Sequence, residues 1–178
     1  TLNLNMARLR ATQLDDQSAV LYIQKAIDYY TLAFDPSHKE VAFATAISAR
    51  THVRLGNTDA AADLMINFDR FGAEAFEDPR IWTFYLAEAS MSLARGDAEA
   101  AIRSANIALK PESVRIMSHL LLVEAHTVAG DLEAARREFD VAHKIALNWL
   151  GPDSAYSRHV ATLQPSIRRV QDNADDQK

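Results

Sequence analysis

Residues 92–109 read SLARGDAEAAIRSANIAL. The tripeptide Arg95-Gly96-Asp97 within it spells an integrin-adhesion motif, but its surroundings point to a structural role. Glycine tolerates the positive φ that closes a helix. An aspartate just after it can accept hydrogen bonds from the free N–H groups of a new helix. Two other stretches carry the same arrangement: VRLGNTDAAADLM at 53–65 and VAGDLEAARREF at 128–139. In each, the turn glycine (Gly56, Gly96, Gly130) precedes a capping residue (Asn57, Asp97, Asp131). A small residue follows five positions after the glycine (Ala61, Ala101, Ala135), and Ala49, Ala89 or Val123 stands seven before it. The arginine of the tripeptide is not repeated, so Gly96 and Asp97 read as turn and cap.

The rest of the chain agrees. Its five glycines and five prolines fall between long runs of good helix formers. Alternating strand patterns are absent. The spacing predicts antiparallel helix pairs at 2–13 with 16–33, 38–55 with 58–71, 79–95 with 98–109, and 112–129 with 132–148. A helix over 153–164 would cap the end, and the polar 171–178 would fray. Gly96 and Gly130 are 34 apart, 130 − 96, whereas Gly56 and Gly96 are 40 apart, 96 − 56. The extra residues fall around FEDPRI, 76–81. A weaker first copy has Leu14-Asp15 in place of Gly-Asp, then QSAVLYIQKAIDYY, 17–30.

Composition narrows the function classes. The 178 residues suit one domain or a short repeat array, and 48% hydrophobic content is enough for a sizeable core. A net charge of −5 argues against direct nucleic-acid binding. The absence of cysteine excludes disulfides, thiolate metal sites and cysteine nucleophiles, and leaves the redox compartment open. No apolar run is long enough to span a bilayer; HLLLV, 119–123, soon meets Glu124 and His126. No secretory signal is visible. The chain starts at Thr1 rather than Met, which suggests a leader or domain upstream. A cytoplasmic location is expected, or a periplasmic one if a leader was removed.

The repeated turns, the spacing near 34 and Ala135-x-x-x-Phe139 resemble the tetratricopeptide repeat, a helix–turn–helix unit of about 34 residues. The similarity is good over 40–148 and poor over 1–36. Leu122-Val123 replaces the family's Leu-Gly. His119 and His126, or Thr45 and His52, replace its Trp and Tyr. ALNWLGPDSAYSRHVATL, 146–163, is also similar to the longer repeats of kinesin light chains. The resemblance implies an all-α right-handed superhelix over 1–170. It would hold repeats at about 1–36, 38–75, 79–111 and 112–149, then the capping helix.

Candidate chemistry is sparse. Of six histidines, His119 and His126 share a helix face but stand about 10 Å apart along it, too far for one ion without further ligands. No HExxH, phosphate-binding glycine loop or GxSxG elbow occurs. Glu88, Glu124 and Glu133 are scattered. Arg136-Arg137 and Arg168-Arg169 are isolated basic pairs on an acidic chain. No catalytic residue, metal or cofactor is expected. Trp82, Phe84, Tyr85 and Trp149 are read as core aromatics, with a partner-binding hot spot as the alternative.

In tetratricopeptide proteins the first helix of each pair lines the concave surface. Carried over, this implies a groove of Phe43, Ala46, Arg50, Val53 and Arg54; then Thr83, Leu86, Ser90, Leu93 and Ala94; then Met117, Leu120, Glu124, Thr127 and Val128. The Lys and Asn set by which chaperone-binding members hold a peptide carboxylate is missing at Ala46, Arg50, Leu86 and Ser90. The groove would take an amphipathic helix or extended peptide with an acidic element near Arg50 and Arg54. Alternatively, some of these residues only pack against the next repeat. The expected function is a non-enzymatic scaffold for a protein or peptide partner. The alternative is a sensor or regulatory domain of a larger bacterial signalling protein, such as a transcription activator or nucleotide cyclase. The oligomeric state is not readable.

Overall fold

The computed structural model describes residues 2–13, 15–66, 82–110, 115–154, 157–158 and 160–162. Among them the regular structure is α-helical, with no strand. The helices are α1 (Leu2–Thr12), α2 (Asp16–Ala33), α3 (Lys39–Arg54), α4 (Thr58–Ile66), α5 (Trp82–Ala94), α6 (Ala98–Ile107), α7 (Arg115–Ala129) and α8 (Leu132–Leu150). They pack as antiparallel pairs between chain neighbours, except that α5 packs on α3 far more than on α4. In addition, α5 packs on α7. The expected helix ends at 67–71, 79–81 and 112–114 lie outside the described residues. Of the expected capping helix, 155–156, 159 and 163–164 also lie outside them, while Ser157, Arg158 and Val160–Thr162 are helical.

The three glycine turns share one geometry. Gly56, Gly96 and Gly130 have φ of 79°, 77° and 78°. The next residue's N–H reaches back across the helix end: Asn57 to the His52 carbonyl, Asp97 to Ser92 and Asp131 to His126, each at 2.9 Å. This is a six-residue closure that satisfies a carbonyl left free by the last turn. Asp15 makes the same bond to Arg10 at 2.9 Å. The carboxylates of Asp97 and Asp131 then accept from Ala100 and Ala134, both at 2.9 Å. Asp15 accepts from Ser18 at 3.3 Å. Asp97 is thus occupied as a helix cap, which accounts for the Arg-Gly-Asp string.

Burial repeats with the turns. The fourth residue after each cap is a fully buried alanine: Ala19, Ala61, Ala101 and Ala135. The residue seven before each glycine is buried too, as Ala49, Ala89 and Val123, and Ala7 holds the matching place before Leu14. Alanine on both faces lets paired backbones approach closely, so the seam is narrow and intolerant of bulk. In α2 the buried stripe is Ala19, Ile23, Ala26 and Tyr30; in α8 it is Ala135, Phe139, Ala142 and Ala146. Both follow the i, i+4, i+7, i+11 spacing of one helix face. Helix α3 is buried on all sides from Val41 to Ala49, because α2, α4 and α5 surround it.

Candidate functional site

The implied groove residues divide by burial. Phe43, Leu86, Ser90 and Leu120 are interior. Phe43 belongs to a cluster with Leu4, Ile23 and Tyr30. Leu86 packs with Ala108, Trp82, Tyr85, Met117 and Leu121. Leu120 packs with Phe139, Ala142, Ala146 and Val160. The Ser90 hydroxyl donates to the Leu86 carbonyl at 2.8 Å, which satisfies it inside its own helix. These four side chains are therefore packed within the fold, at contacts that α3, α5 and α7 make with their neighbours.

What remains accessible lies toward the turn ends of α3, α5 and α7. Val53 is half-buried against Ala49, Ala61, Ala87 and Met91. Leu93 and Thr127 are half-buried, and Val128 is exposed. The Thr127 hydroxyl donates to the Val123 carbonyl at 2.7 Å. Helix α5 lies against both α3 and α7.

The charged members behave differently from expectation. Arg54 forms a two-pronged pair with Asp16 of α2: Nε donates to Oδ2 at 2.9 Å, and a terminal nitrogen donates to Oδ1. It ties the end of α3 to the start of α2, 38 positions away. Arg50 is half-buried. Glu124 is exposed and hydrogen-bonds to no described residue, yet desolvation raises its carboxyl above the usual carboxylate value.

Other polar groups act as braces. The Ser104 hydroxyl donates to Glu88 at 2.7 Å, joining α6 to α5. His119 Nδ1 lies 2.5 Å from Glu138 Oε2, joining α7 to α8. His38 caps α3, its Nδ1 accepting from the Glu40 N–H at 3.2 Å, while its ring stacks on Phe34. Among the described residues no group of three His, Asp or Glu is placed to hold a metal ion. Also among them, no helix is long and apolar enough to cross a membrane. Trp82 and Tyr85 join a core cluster, with the Lys110 ammonium over the Trp82 ring at 5.3 Å. Trp149, read as core, is instead 73% exposed.

Two features escaped the sequence reading. The Arg54–Asp16 pair joins residues too distant in the chain for any local signal. The outer face of α2 carries exposed Leu21, Tyr29 and Leu32. It was visible in principle, since Leu21 and Leu32 lie opposite the buried stripe and Tyr29 lies at its flank. No family model matches the chain, and no curated protein matches it.

Proposed function

We propose that the chain is a non-enzymatic scaffold of the tetratricopeptide type that binds a segment of a partner protein along the turn ends of α3, α5 and α7. One observation carries this reading. A single turn, with the same φ, closing bond and buried alanine after the cap, recurs between paired helices. That recurrence supports a stacked repeat, in which equivalent helix ends form a continuous surface. The surface offers Val53, Leu93 and Val128 as apolar contacts and Glu124 as an acidic one. With Arg54 held by Asp16, the complementary feature of the partner shifts from an acidic element to a lysine or arginine facing Glu124. A carboxylate already stripped of part of its water has less to lose when such a cation arrives.

Selection of a displayed random peptide library on the chain tests this. Enriched peptides should carry a basic residue among apolar ones. Glu124→Lys and Leu93→Asp should each weaken them about tenfold or more, with the folded state checked by circular dichroism. Absence of enrichment, or peptides that bind both folded variants as well as the parent, would sink the reading.

A further inference from the structure

Helix α2 presents two opposite faces. Ala19, Ile23, Ala26 and Tyr30 are buried against the rest of the protein. On the other side Leu21 is 66% exposed, Tyr29 57% and Leu32 89%, with Gln24, Lys25 and Asp28 exposed among them. At 100° per residue, Leu21 and Leu32 point within about 20° of each other, about 16 Å apart along the axis. Lys25 and Asp28 fall between them on the same stripe. Neither has an ion-pair partner among the described residues. The Lys25 ammonium lies 5.9 Å from the Tyr22 ring centre, and Asp28 accepts from the Gln24 amide at 2.8 Å.

The order along this stripe reads the same from either end. Leucine, cation, anion, leucine becomes leucine, anion, cation, leucine on reversal. We propose that the outer face of α2 is the interface of a symmetric dimer, in which α2 pairs antiparallel with α2 of a second copy. With the two-fold axis between positions 26 and 27, Leu21 meets Leu32 of the other copy and Lys25 meets Asp28. Each contact occurs twice, as two-fold symmetry requires. The charges fix the register, because a parallel or shifted pairing would set like charges together or leave the leucines unopposed. The interface is a single helix face, so the dimer is weak and concentration-dependent. It is separate from the turn-end surface and does not depend on that surface binding anything.

Sedimentation equilibrium over a concentration series tests the proposal. The parent should rise from one-chain to two-chain mass. Leu32→Asp should abolish the rise without affecting folding, since Leu32 touches little of its own chain. Lys25→Asp and Asp28→Lys should each weaken dimerisation about tenfold or more. The double exchange, which restores opposite charges across the axis, should recover it to within about threefold. The native chain has no cysteine, so cross-linking reads the register directly. A mixture of Leu21→Cys and Leu32→Cys chains should form disulfide dimers on oxidation. Neither chain alone should do so, because its own copies place the two thiols about 16 Å apart or more. A chain that stays monomeric to about 1 mM, or a charge exchange that fails to recover association, overturns the proposal. The stripe then faces another partner or none.

Discussion

Arg54 stands two residues before the turn glycine of α3, where the resemblance to tetratricopeptide repeats would aim it at a ligand. In the folded chain its guanidinium is taken by Asp16. Side-chain exposures of 23% and 14% place the pair partly out of water, where a two-pronged geometry matters. Lysine keeps the charge but cannot present two parallel N–H groups. Arg54→Lys is expected to cost about 1 kcal/mol in urea unfolding, and Arg54→Ala about 2 kcal/mol, because it strands Asp16. Equal stability of all three proteins would remove the pair from the fold's support. Legibility at this scale follows sequence distance. The caps Asp97 and Asp131 act on amides three residues away, and a local pattern finds them. A contact across 38 positions leaves no such trace.

Among the helices, the seam of alanines was readable because it recurs at a fixed offset from each turn. Ala101 and Ala89 are both fully buried where α6 meets α5. Ala101→Leu should therefore overpack the seam and lower stability by about 1–3 kcal/mol. A variant as stable as the parent in thermal unfolding would mean that α6 can move aside. The groove was less readable, since an apolar residue on an inner helix face has the same spacing whether it meets a ligand or the next helix. Leu86 and Leu120 meet helices. Periodicity identifies the buried side of a helix and leaves open what covers it. The outer stripe of α2 is the converse: apolar residues on the side that periodicity assigns to solvent.

At the scale of the whole molecule, the raised carboxyl of Glu124 ties stability to pH. The folded state holds this proton at a higher pH than the unfolded chain does. Between the two pKa values the folded state binds more protons, so stability falls as pH rises through that window. Glu124→Gln should accordingly raise Tm near neutral pH and leave it nearly unchanged at about pH 3, where the acid is protonated in both states. A Tm gain of the same size at both pH values would assign the effect to packing. The helical structure of the described residues followed from local pattern, whereas the desolvation of Glu124 depends on how successive helices sit together. The neighbour-to-neighbour order of packing also bears on synthesis. Helix α1 can bury its inner face on α2 before α3 has left the ribosome, whereas α3 completes its largest contact only when α5 is made, and α7 only when α8 is. Each contact still closes across one or two helices of chain, so apolar surface stays uncovered only briefly while translation proceeds.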